Sequence, residues 1–139
     1  MTVSTAYIEL DTKGKTDIVD ITSRVDSILK KENISCGTVT VFVIGSTGAV
    51  TTIEYEPALE SDIKKFFEKI IPSSEHYAHD ATWGDANGHS HLRASLLGPS
   101  LTVPFNDNEM CLGTWQQIIF IDFDNRPRKR KLLLQFIGK

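Results

Sequence analysis

Polar and apolar residues alternate from Ala6 to Asp11 (Ala-Tyr-Ile-Glu-Leu-Asp), the period of a strand with one buried face, and Thr12–Lys15 reads as a turn. The period then lengthens. Between Asp20 and Lys31 the residues Ile21, Val25, Ile28 and Leu29 recur at intervals of three and four, which predicts a helix with one apolar stripe and with Lys30 and Lys31 at its negative end. Gly37–Ile44 is rich in β-branched residues and is the clearest strand. Gly45–Gly48 turns the chain and Val50–Tyr55 runs back, so the two strands are expected to pair as an antiparallel hairpin. Pro57 opens a second helix, Leu59 to Ile70, with an expected inner face of Leu59, Ile63, Phe66, Phe67 and Ile70; Pro72 ends it. From Ser73 to Gly88 the periodicity is lost, and this stretch is long for a loop in a compact domain. Beyond it, Ser100–Pro104, Met110–Asp124 and Lys131–Ile137 are apolar and β-rich, separated by turn signals at Asn106–Asn108 and Asn125–Pro127. This order of elements is α+β: an antiparallel sheet or sandwich core with two to three helices.

A chain of 139 residues is one ordinary domain, and 40% hydrophobic with 24% charged residues is a globular composition rather than a disordered one. A net charge of −3 argues against the broad attraction on which non-specific nucleic-acid or anionic-membrane binding depends. The longest unbroken apolar runs, such as Ile118–Ile121, fall far short of the ~20 residues of a membrane helix, and no secretory signal opens the chain. Two cysteines, Cys36 and Cys111, make a disulfide scaffold improbable and are read as buried free thiols; the expected compartment is the cytoplasm.

All four histidines fall between His76 and His91, as His76-Tyr-Ala-His79-Asp80 and His89-Ser-His91. Packing does not call for such clustering, whereas a metal site needs three or four convergent donors and each neutral imidazole offers one. In an extended segment His89 and His91 lie on one side and can share an ion; on a helix they would point roughly oppositely, so the reading requires local extension. Asp80 is a ligand, or the acceptor that orients a ligand imidazole. Two glycines and the Asn87-Gly88 pair let the loop fold back and bring His79 toward His91. A hydrogen-bonded, metal-free histidine cluster that is catalytic or binds a ligand, and plain loop polarity, are the competing readings. No Walker loop, dinucleotide glycine motif or nucleophilic serine elbow is found.

The runs Tyr77-x-His79-Asp80, Asn87-Gly-His-Ser-His91 continuing to Leu101, and Leu112-Gly-Thr-Trp-Gln116 resemble the YjbQ family, also called the secondary thiamine-phosphate synthase family. Val41-Phe-Val43, Glu54 and the basic run Arg128–Lys131 extend the resemblance over nearly the whole chain. It implies a small α+β protein that forms a homotrimer with the histidine loop near a subunit boundary, acting on a phosphorylated small molecule. Many members carry a histidine in the turn after the central strand; this chain has Ile44-Gly45-Ser46-Thr47 there. His89 is therefore read as a relocated ligand, with His79, His89 and His91 as the triad around a divalent ion, Zn²⁺ by its donor chemistry. Glu54 is the acid/base or fourth-ligand candidate, set against a solvated charge on a strand. Asn87, Trp115 and Gln116 are candidates to line the pocket, although a tryptophan opening an apolar strand is more often core. Arg128 and Arg130 share one face of a strand; they form a phosphate clamp or, with Lys129 and Lys131, a charged edge that discourages aggregation.

Overall fold

Two antiparallel sheets of unequal size form the framework, and the smaller one is buried on both of its faces. The computed structural model describes residues 1–139. β1 (Thr2–Thr12), β8 (Arg128–Gly138), β3 (Gly37–Val43), β5 (Ser100–Asn106) and β6 (Glu109–Met110) make the larger sheet, in that order. β2 (Asp17–Asp20), β7 (Gln117–Asp122) and β4 (Gly48–Ile53) make the smaller. Four helices complete the fold: α1 (Thr22–Leu29), α2 (Pro57–Ile70), the single turn α3 (Asp80–Trp83) and α4 (Gly88–Leu97). None is long and apolar enough to cross a membrane.

β7 explains the layering. Successive side chains of a strand point to opposite faces. Ile118 and Phe120 therefore enter the larger core with Val39, Val41, Leu132 and Leu134, while Ile119, Ile121 and Phe123 enter a second core with Phe67 of α2 and Ala94 of α4. An unbroken apolar run is what a strand buried on both faces requires. Ile21, just before α1, and Val25 and Leu29 within it enter the larger core as the stripe predicts. The turn signal at Asn106–Asn108 joins β5 to β6, with Asp107 and Asn108 both at positive φ, the backbone of a tight hairpin turn.

Three expectations need correction. Gly37–Ile44 and Val50–Tyr55 do not pair: β3 pairs with β5 and β8, and β4 pairs with β7. The Gly45–Gly48 turn reverses the chain but carries it from one sheet to the other, so that Val41 and Val50 meet across the core between them. Gly48 is needed at the crossing, because a Cβ there would stand 2.7 Å from the Phe120 ring. On α2, only Phe67 is buried; Phe66 and Ile70 are exposed, since an outer-layer helix touches the sheet along one line. Cys111 is exposed and Cys36 half-buried, both as free thiols, because Cys111 falls in the loop after β6 rather than inside a strand.

Candidate functional site

The stretch without periodicity is ordered by one carboxylate. Asp80 accepts the backbone N–H of Tyr77 at 3.0 Å and that of Gly88 at 2.9 Å, which ties both ends of the loop together. These two amides hold the Asp80 carboxyl below the usual carboxylate range. Gly88 has to be glycine here, since a Cβ would lie 2.6 Å from the Tyr77 Cβ. Asp80 is thus a positioning residue that places the segment carrying His79, and its oxygens are engaged by backbone rather than turned to a ligand.

α4 begins at Gly88, so His89 and His91 lie on a helix and not on the extended segment that a shared ion requires. Two residues of helix separate side chains by about 200°. His91 faces His79, with ring centroids 4.4 Å apart. His89 points the other way and is buried beside Arg93. The three-histidine triad is therefore not assembled, and no group of three or more His, Cys, Asp or Glu side chains is arranged to hold a metal. His76 is exposed.

What does converge is a cleft of about 550 Å³ between the Gly45–Thr47 turn, α3, the start of α4 and β8. His79, His91, Asn87 and Trp83 form one wall, and Arg128 and Arg130 the other. Burial, followed by the nearby His79 ring, pushes His91 below the usual imidazole range, leaving it neutral at pH 7. Two buried polar atoms on this wall, His79 Nε2 and Asn87 Oδ1, have no hydrogen-bond partner. Such orphans are rare in folded proteins and call for an explanation. Trp83, at 77% exposure, stands at the rim.

The opposite wall contains residues that pattern reading missed. Asp122 and Asp124 are fully buried. Arg130 grips Asp122 through Nε and Nη2, each at 2.7 Å, and Nη2 also donates to Thr47 Oγ1. Thr12 donates to the same Asp122 carboxylate. Arg128 pairs with Asp124 through Nε at 2.8 Å and Nη2 at 2.7 Å. Burial pushes Asp124 up, but the Asn125 amide, Arg128 and Thr47 outweigh it and hold the carboxyl below its usual range. Arg128 and Arg130 therefore share one face as the alternation predicts, yet most of their charge is answered from within the fold. The available signal was a pair of aspartates two apart at the end of an apolar strand, in phase with two arginines two apart on the next.

Glu54, Trp115 and Gln116 do not reach this cleft within the chain. Gly48, at the cleft end of β4, pairs with Asp122, and Ile53 pairs with Gln117 at the other end. Five residues of strand put these groups roughly 17 Å away. Gln116 donates to Thr52 Oγ1 at 3.0 Å, and Trp115 is 72% exposed rather than core.

On the far side of α4, Arg93 donates to Glu68 Oε1 at 2.7 Å. Arg93, with help from Ser73, holds the Glu68 carboxyl down to about 2 from an ordinary value of 4.5. A depressed folded value gives stability that is present above pH 4.5 and is lost as pH falls through about 2. Glu68 is half in solvent, so the effect is modest. Across that window Glu68→Gln is expected to flatten the acid fall in melting temperature relative to the wild type. Parallel curves would show that the pair does not contribute.

Comparison with known proteins places the chain in a family. The description "UPF0047 protein YjbQ-like" matches residues 6–139. A UPF0047 protein of Methanothermobacter thermautotrophicus is 41% identical over 139 residues, covering 100% of this chain and 95% of that protein. One from Archaeoglobus fulgidus is 37% identical over 128 residues, covering 92% and 97%. Among solved structures, a YbjQ-like protein of Sulfolobus solfataricus has a TM-score of 0.89 at 27% identity, covering 99% of this chain and 100% of that one. A YjbQ/UPF0047-family protein of Clostridium acetobutylicum has a TM-score of 0.86 at 30% identity, covering 95% and 99%. The chain belongs to the YjbQ/UPF0047 family.

Proposed function

We propose that the chain is an enzyme acting on a phosphorylated small molecule in the His79–His91 cleft, with thiamine-phosphate synthesis as the reaction that the family resemblance suggests. The observation that carries this reading is the facing of a close, partly buried imidazole pair by two arginines across one cleft. The fit to a divalent ion rests on the donor set: two imidazoles, one with an unpartnered buried Nε2, and the unpartnered oxygen of Asn87. These would be the residues that hold it, with His89 left out; when bound, a Zn²⁺-type ion supplies Lewis acidity or an activated water. The chain's own residues do the rest. Arg128 and Arg130, anchored by Asp124 and Asp122, line the cleft, and a phosphate would bind the N–H groups that those carboxylates leave free. α4 keeps His91 against His79, and Asp80 keeps the His79 segment in place.

The test is a metabolite screen on zinc-loaded wild type and on His79→Ala. A phosphorylated compound consumed only by the wild type is the expected result; equal consumption by both would overturn the reading. The alternative, a non-catalytic trimeric protein that holds a metal or small ligand, draws on the exposed apolar side chains. Val3, Tyr7, Phe42 and Ile137 stand on the outer face of the larger sheet, and β1 leaves its edge unpaired. Burying such surface favours oligomers, and the proposed assembly is a homotrimer under either reading. Light scattering at micromolar concentration is expected to give three times the 15.5 kDa chain mass. A monomeric mass would refute the trimer.

A further inference from the structure

α4 has a second side, and a second cavity lies against it. His89 and Arg93 are four residues apart, about one helical turn, so both point away from the His79–His91 cleft. They line a space of about 440 Å³ together with Lys15, Glu68, Ser73 and Asn125. We propose that this cavity is a binding site for a small oxyanion, a carboxylate or phosphate group, recognised by Lys15, His89 and Arg93.

Charge is the first argument. The Arg93 side chain is 3% exposed, and its partners are the Ile71 carbonyl, the Thr16 hydroxyl and the Glu68 carboxylate. Glu68 is the sole carboxylate in the lining and stands half in water, against the two cations Lys15 and Arg93. With Arg93 answered by Glu68, the charge left over in the lining is the exposed ammonium of Lys15, which favours an anion beside it. His89 is the second argument. Its ring is buried, yet its one hydrogen-bonding contact is the Ser90 hydroxyl, at 3.4 Å from Nε2. A buried imidazole held by a single long contact retains hydrogen-bonding capacity for an occupant of the cavity. Backbone conformation is the third. Gly14, Lys15 and Thr16 are all left-handed, with φ of 75°, 57° and 63°. A β-branched residue in that region is a genuine outlier, and such strain persists where the surroundings impose it, often at ligand clamps. Here the Lys15 N–H donates to the Asp124 carbonyl and Arg93 donates to Thr16, fixing the turn with Lys15 on the cavity.

The site is independent of the cleft's function, since His91 lies on the opposite side of the helix. The experiment follows the ring nitrogens of all four histidines by NMR in the full chain, during titration with inorganic phosphate and, in a second arm, malonate. Ionic strength is held constant with chloride. Saturable movement of the His89 signals is expected in the wild type and equally in His91→Ala, with the tighter arm identifying the headgroup chemistry. Lys15→Gln removes the ammonium from an exposed position and is expected to weaken that binding roughly tenfold. His89 signals that respond to neither anion would overturn the proposal, as would unchanged affinity in Lys15→Gln.

Discussion

Asp122→Ala is expected to remove about 3–5 kcal/mol of stability, the cost of breaking a buried ion pair by deleting one partner. For a chain of this size that corresponds to a fall in melting temperature of roughly 10–20 °C. The carboxylate is fully buried and accepts four hydrogen bonds: two from Arg130, one from Thr12 and one from the Asp124 amide. Its deletion leaves the Arg130 guanidinium and the Thr12 hydroxyl without their partner in the interior. The double variant Asp122→Asn with Arg130→Gln removes both charges while keeping the shape, and should recover part of the loss. Thermal melts of the two variants and the wild type decide the matter. A single substitution costing under about 1 kcal/mol would mean that the pair behaves like a surface salt bridge.

His91→Ala has the largest expected effect on function. If the cleft performs acid–base or metal-assisted chemistry, turnover should fall by roughly 10²–10⁴-fold, and bound metal should be lost with it. The fold should stay cooperative, with a melting temperature close to the wild type. The apolar cores lie in the strands and around Phe67 and Ala94, His91 is only half-buried on the cleft wall, and alanine is a good helix former near the start of α4. A structural ion predicts the reverse, because its binding energy is then folding energy. Melting curves of both proteins with and without chelator separate the cases. A large fall in melting temperature, reproduced in the wild type by chelator, would sink the catalytic reading and leave the binding protein.

The histidine cluster was legible as a cluster but not as a geometry. His79 and His91 come together as their spacing and the intervening glycines suggest, whereas His89 leaves the group because α4 is a helix. That helix escaped pattern reading for a physical reason. Its buried positions include His89, Ser90, Arg93 and Ala94, so the face it turns inward is small and polar, while Leu92 and Leu96 are exposed. A hydrophobic period cannot announce a helix whose buried face holds an arginine and a histidine.

By itself the sequence determined the elements whose burial is purely apolar. The alternation of β1, the β-branched run of β3, the doubly buried run of β7 and the stripe of α1 all follow from side-chain hydrophobicity acting at the period of the backbone. It also determined the α+β class and the family. Tertiary structure alone decided which strands share a sheet, because a turn signal fixes the reversal of the chain but not the hydrogen-bonding partner beyond it; β3 and β4 are adjacent in sequence and lie in different sheets. It likewise decided the meaning of the basic run. Arg128 and Arg130 alternate visibly with Lys129 and Lys131, but their destination depended on Asp122 and Asp124 arriving buried from β7 and the turn after it. Opposite charges in the interior must meet or cost several kcal/mol each, and only the packing of one strand against the next shows that they do.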